Sequence, residues 1–283
     1  MLMHPNLSPV IFSIGPLAVR WYALAYVLGF LFFFYMSKRQ IEKAKSPLRS
    51  LEDLDSLFLY GVLGVVVGGR LGYVCFYNLH HYLTQPLDIF KVWQGGMSFH
   101  GGLVGVVIAM ALFAYQKRYH FLEISDFVAP LAPVGLGLGR IGNFINGELW
   151  GRITAPYHFW AMGFPQAQLA DKNLVGSLPQ IYQDAFGLWG ALPRHPSQLY
   201  EALLEGLTLF LILLVFNRKK RPTGSITALF LILYGIFRFI IEFSRQPDAQ
   251  IGLLALNLSM GQWLSLPMLV IGLGLYIFSK REP

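Results

Sequence analysis

Residues 224–243 read GSITALFLILYGIFRFIIEF, a run of twenty whose ionisable side chains are Tyr234, Arg238 and Glu242. A helix of about 20 apolar residues spans about 30 Å, the thickness of a bilayer's hydrocarbon core. A charge held at that depth costs at least about 2.5 kcal/mol even on the most lenient insertion scale. Such a run reads as a membrane helix whose charges mark a site, and its recurrence decides the fold class.

Working outward, apolar runs of comparable length lie at about 17–37, 57–76, 99–116, 124–143, 196–217 and 259–279. Of 283 residues, 55% are hydrophobic and 13% charged, against about 25% charged in a soluble domain. The expectation is an all-α polytopic membrane protein with about seven transmembrane helices, forming a single integral membrane domain over 1–283. The N-terminus lacks the basic stretch of a cleaved signal peptide, since no Lys or Arg precedes Arg20, and residues 21–37 read as the first span. The one cysteine, Cys75, excludes an internal disulfide and a cysteine metal cage; it reads as a small core residue. No cluster of His and carboxylates has ligand spacing, so neither a metal nor another cofactor is expected. No internal repeat is visible.

Basic residues concentrate on alternate connections: Lys38, Arg39, Lys43, Lys45 and Arg49; Lys117 and Arg118; Arg218, Lys219, Lys220 and Arg221; Lys280 and Arg281. These thirteen of the 22 Lys and Arg put those connections in the cytoplasm, the N-terminus outside and the C-terminus inside. The net charge of +7 is then topological, and no nucleic-acid partner is expected. Residues 147–195, rich in Pro and aromatics, are too long for a simple connection. They are expected to fold as a small extracytoplasmic head inserted between spans four and five.

With directions assigned, Tyr22, Arg70, His100, Arg140, Asn143, Arg238 and Glu242 all fall in the outer parts of their spans. A polar cavity open to the outer leaflet accounts for that shared depth. Arg140, Asn143 and Asn146 recur every three residues and share a helix face, while Tyr234, Arg238 and Glu242 recur every four. Arg before Glu is the weaker order for a simple helix pair, so Glu242 reads as orienting Arg238 into a ligand fork. Plainer readings stand beside these. An arginine one turn from a helix end commonly snorkels to the interface, which weighs most on Arg70. His100 before Gly101 and Gly102 fits a helix start, and Tyr22 beside Trp21 fits an aromatic belt. The glycines at 135, 137, 139 and 142 follow no strand, so they are not a dinucleotide loop. His100-Gly101-Gly102 has no G-x-S-x-G elbow to make it a lipase oxyanion loop.

Residues 139–151, GRIGNFINGELWG, resemble the signature of the bacterial prolipoprotein diacylglyceryl transferases. The similarity extends to His100-Gly101-Gly102-Leu103, to residues 195–201 (HPSQLYE), and to Arg238 through Glu242 with Arg245, Gln246, Pro247 and Asp248. These motifs stand in the family's order from residue 10 to the C-terminus. The resemblance implies an enzyme of the bacterial cytoplasmic (inner) membrane with its active site facing the outer leaflet. Its reaction would move the diacylglyceryl group of phosphatidylglycerol to the lipobox cysteine of a prolipoprotein, beside the signal peptide, in the first step of lipoprotein maturation. A thioether forms and glycerol phosphate leaves. The partners are then phosphatidylglycerol, the prolipoprotein signal peptide and the bilayer.

For that chemistry, Arg140 and Arg238 are expected to hold the lipid phosphate by planar guanidinium forks, with Glu148 and Glu242 holding the arginines in place. Asn143 is expected to hydrogen-bond the headgroup, and His100 to act as base for a thiol whose free pKa is near 8.5. Tyr22 and Tyr234 are supporting candidates for glycerol or ester oxygens, and Gly151 completes the phosphatidylglycerol set. Two alternatives use the same arginines. A transporter for a small anion would place its site near the midplane between repeats. A structural lipid-binding scaffold is separated from an enzyme only by the resemblance.

Overall fold

The structure, a computed structural model, describes residues 1–15, 17–247 and 252–279. Asp248 of the last motif and the basic pair Lys280 and Arg281 lie outside the described residues. The chain divides into two compact units, Phe34–Val128 and Met1–Phe33 with Ala129–Pro283.

The chain is mostly helical: α1 (Trp21–Glu42), α2 (Leu51–Tyr77), α3 (Leu79–Thr84), α4 (Phe99–Lys117), α5 (Phe121–Val128), α6 (Ala132–Asn146), α7 (Gln168–Val175), α8 (Gln180–Trp189), α9 (Ser197–Phe216), α10 (Ser225–Ile241) and α11 (Met260–Ser279). Five of these, α1, α2, α4, α9 and α11, are long and apolar enough to cross a membrane. The expected continuous span at 124–143 is instead broken: α5 and α6 meet at a 46° bend and reach membrane length only together. Proline explains the break. Pro130 lies in the turn between the two helices and Pro133 in the first turn of α6, and a proline lacks the N–H that would continue an α-helical ladder. The run at 224–243 yields only the 17-residue helix α10, because Gly224 adopts φ 88° at one end and the chain turns at Glu242 at the other.

In the unit Phe34–Val128, α2 starts at Ser50, whose hydroxyl accepts the Asp53 N–H at 3.2 Å, with Glu52 and Asp53 in the first turn where the helix dipole favours acids. Helices α2 and α4 cross antiparallel through glycine. A Cβ on Gly105 would stand 2.0 Å from Gly64 O, one on Gly68 2.4 Å from Gly101 O, and one on Gly72 2.7 Å from Gly101 Cα. Glycine at every fourth position of both helices removes the side chains that would hold the backbones apart. Cys75 lies off this seam and is exposed, not a core residue.

Arg70 is buried and donates to five carbonyls: Asp88 (2.6 Å), Ile89 (2.8 Å), Lys91 (3.3 Å), Gly95 (2.5 Å) and Gly96 (3.1 Å). It neither snorkels nor stands open to a ligand. It folds the 79–96 connection onto its own helix.

In the other unit, β1 (Leu2–Met3) runs parallel to β4 (Met162–Gly163), and β2 (Val10–Ile14) pairs antiparallel with β3 (Leu17–Arg20) just before α1. Residues 147–195 are organised around a buried ion pair. Arg194 donates from Nε at 2.9 Å and Nη2 at 2.5 Å to Asp171 Oδ1, and from Nη1 to Gly151 O at 3.0 Å; Asp171 Oδ2 accepts the Leu192 N–H at 2.9 Å. Phe164 and Ala167 pack with Phe144 and Trp150 beside it.

Candidate functional site: a buried arginine–glutamate network

Helix α9 departs from α geometry at Ala202–Thr208, where it is π-helical. Such segments recur at functional sites because they re-aim side chains within a helix. Gly206 of this segment meets Gly137 of α6, a Cβ there falling 2.7 Å from Gly137 Cα. That contact brings the two helices close enough for their polar residues to touch.

Arg140 of α6 forms ion pairs, with Nε 2.6 Å from Glu201 Oε2 and Nη2 3.8 Å from Glu205 Oε2. Arg238 of α10 places Nη1 3.5 Å from both Glu201 Oε1 and Glu205 Oε1, and donates from Nη2 to Glu242 Oε1. Arg245 adds Nε at 3.8 Å from Glu201 and Nη1 at 3.5 Å from Glu242. Glu242 Oε2 accepts the Ser259 hydroxyl at 2.5 Å. All three carboxylates are buried, which is tolerable only because guanidinium groups face them. Gly261 leaves room for Glu242, since a Cβ there would lie 2.5 Å from Glu242 Oε1.

The sequence led to Glu148 as the support for Arg140. The structure assigns that task to Glu201 and Glu205. The reason is the end of α6: Gly147 takes φ 66°, the left-handed C-cap that reverses the chain. Glu148 is carried back over its own helix, where it accepts from Asn143 Nδ2 at 3.0 Å and Asn146 Nδ2 at 3.1 Å. Glu242 does meet Arg238, as its spacing suggested.

Three other sequence candidates, Tyr22, Tyr234 and Gly151, belong to the same unit as the network. Tyr22 packs on Gly142, where a Cβ would come within 3.0 Å of its ring, and its hydroxyl lies 3.1 Å from that of Tyr26. Tyr234 stacks on Phe230 and lies in the field of Glu205, Arg238, Arg140 and Glu201. Gly151 uses both backbone groups within the protein, its N–H on His195 O and its carbonyl on Arg194. A Cβ on it would strike His195 O at 2.4 Å and Ser244 O at 2.6 Å, so glycine here is a spacer between two chains. His100 is the second residue of α4 and exposed, in the unit that does not contain the network. Arg70 belongs to that unit too.

Glu201, Glu205, Arg245 and Gln198, which donates to Glu148 O at 2.6 Å, carried no assigned role from sequence. Two were legible. Glu201 and Glu205 are carboxylates inside the 196–217 run, and the rule that singled out the arginines applies equally to them.

What the network can do follows from its openness. Arg140 keeps 19% of its side-chain surface, against 11% for Arg238 and 14% for Arg245. With Nε alone at hydrogen-bonding distance from a carboxylate, its planar end retains donors for an anion, and its neighbours hold it in place. The family model for prolipoprotein diacylglyceryl transferase matches residues 9–278. The chain belongs to the prolipoprotein diacylglyceryl transferase family. It is 57% identical to the phosphatidylglycerol--prolipoprotein diacylglyceryl transferase of Neisseria meningitidis serogroup C over 96% of both chains. It is 52% identical to the protein of that name from Burkholderia multivorans, over 100% of this chain and 97% of the relative. The prolipoprotein diacylglyceryl transferase match spans every member of the network, from Arg140 to Ser259.

Proposed function

We propose that this protein transfers the diacylglyceryl group of phosphatidylglycerol to the cysteine thiol of a prolipoprotein. The observation that carries the reading is the Arg140–Glu201 contact within the arginine–glutamate network of a chain from this family. A guanidinium held beside a buried carboxylate and still partly open is suited to a phosphodiester, which presents paired oxygens to a planar fork.

The protein is a multi-pass membrane protein by its apolar helices and its family. The charge pattern supports seven spans, counting the bent α5–α6 pair and α10, with the N-terminus outside and the C-terminus in the cytoplasm. On that orientation the site faces the outer leaflet of the bacterial inner membrane, and residues 147–195 form a head on the same side. The donor then arrives laterally from the bilayer and the acceptor after export.

The reaction is displacement at carbon. The thiolate sulfur attacks the glycerol carbon that bears the phosphate, the C–S bond forms, and the C–O bond breaks with its electron pair leaving on glycerol phosphate. Arg140 and Arg238 bind the phosphate and stabilise the charge that grows on the leaving oxygen. Glu201, Glu205 and Glu242 hold these forks, and Asn143, braced by Glu148, hydrogen-bonds the headgroup. Tyr22 and Tyr234 stand beside the network as donors to glycerol or ester oxygens. His100 takes the thiol proton, an assignment resting on its place at the outer start of a span. Purified protein incubated with labelled phosphatidylglycerol and a lipobox peptide should yield a cysteine heavier by one diacylglyceryl group, with glycerol phosphate released. An unmodified cysteine would reject the reading.

A further inference from the structure

Residues 1–8 precede the stretch that the family model matches, yet their backbone is laid down as a strap. The Leu2 N–H donates to Ala161 O at 2.8 Å and the His4 N–H to Gly163 O at 2.9 Å, extending the register of β1 beside β4. His4 is buried, stacked on Phe164 at 5.3 Å between centroids and set against Phe144 at 4.9 Å. Both ring nitrogens are used. Phe144 O can only accept, so Nε2 carries the proton and donates across 2.6 Å. Nδ1 is then the acceptor for the Asn6 N–H at 3.2 Å. Its two neighbours thus define the neutral tautomer.

Phe144 lies in the last turn of α6, where carbonyls run out of intrahelical partners. Its oxygen takes the Gly147 N–H at 2.9 Å and His4 as a second donor from far along the chain. The strap also grips the turn through Asn6, whose Oδ1 accepts from Gln166 Nε2 at 3.0 Å. The Gln166 amide occupies the space above Gly147, 2.2 Å from where a Cβ would stand. The turn held this way carries Asn143 and Asn146, both donating to Glu148.

We infer that His4 is a positioning residue, whose cap on Phe144 fixes the α6 C-terminal turn and so presents Asn143 and Glu148 to the phosphatidylglycerol headgroup. The inference rests on the headgroup role proposed above for Asn143. A histidine that only stabilised the fold would weaken every ligand together, whereas this one acts on the lipid alone.

The full-length protein in detergent would be tested by direct binding of phosphatidylglycerol and, separately, of a lipobox peptide. His4→Phe keeps both aromatic contacts and removes both hydrogen bonds. It should weaken phosphatidylglycerol about fivefold, the worth of one hydrogen bond, and leave peptide binding unchanged; His4→Gln, which regains a donor, should recover part of the loss. In a double-mutant cycle, His4→Phe with Asn143→Ala should bind lipid no worse than Asn143→Ala alone. Additive losses, or equal weakening of lipid and peptide, would overturn the role of His4 while leaving the headgroup assignment intact. Lipid binding undisturbed in Asn143→Ala would instead overturn the headgroup assignment, and the strap proposal with it. Should His4→Phe fail to fold, Gln166→Leu removes the partner of Asn6 and enters the same cycle, with the same selective loss expected and an unselective one decisive against it.

Discussion

Arg140 Nε meets Glu201 Oε2 at 2.6 Å, joining α6 to α9 through two side chains that are each otherwise costly in a membrane. A planar guanidinium can engage two phosphate oxygens at once, which an ammonium cannot, so lysine should not replace the arginine. Arg140→Lys and Arg238→Lys should each lower turnover about 10²–10³-fold, the loss typical of removing one transition-state donor. Initial rates with labelled phosphatidylglycerol measure this. Full activity in both variants would reduce these residues to interfacial anchors.

His100→Gln should lower turnover about 10²–10⁴-fold, the usual contribution of a positioned acid–base group, with lipid affinity unchanged. Raising the pH should restore part of the rate, since the thiol then ionises without help. A loss of lipid affinity that higher pH does not correct would make His100 a headgroup ligand.

Reporter fusions after Lys45 and Lys220 should read as cytoplasmic, and one within residues 165–180 as exterior. Lys220 is the discriminating position, because it lies between α9 and α10. An exterior signal there would break the alternation on which the seven-span proposal depends.

Gly105→Leu should prevent α2 and α4 from closing, because its Cβ alone would sit 2.0 Å from Gly64 O, a backbone atom that cannot step aside. Overpacking typically costs about 1–3 kcal/mol, and contact with backbone places this case at the upper end. Thermal melts in detergent should show a lower Tm. An unchanged Tm would mean that the crossing is not a stability determinant.

Burial, with the nearby His158 adding to it, holds the His195 imidazole below its ordinary pKa, and burial does the same to His4. Charging either ring therefore opposes folding. The unfolded chain takes up these protons near pH 6.5, before the folded one does, so stability is full above that value and falls as pH drops below it. Tm measured from pH 7.5 to 5 should decline, and His4→Phe or His195→Gln should each flatten the slope. A slope that neither substitution changes would assign the decline to other groups.

Hydropathy and the order of charges carried the helical membrane class, most helix positions and the choice of Arg140, Arg238, Asn143 and Glu242, because each of these is a local property. Apolar length, a basic connection and a spacing of three or four residues can be read along one element. What they leave open is which element crosses which. Arg140 rests on Glu201 and Glu205 rather than Glu148 because Gly137 and Gly206 let α9 approach, while Gly147 turns Glu148 back onto Asn143. Arg70 has the same local signature as Arg140, yet five carbonyls of its own connection occupy it. The pairing of Arg194 with Asp171 had no periodicity to announce it. Local pattern says that a buried charge must find a partner; only the packing of distant segments chooses which, since the choice depends on how closely their backbones can approach.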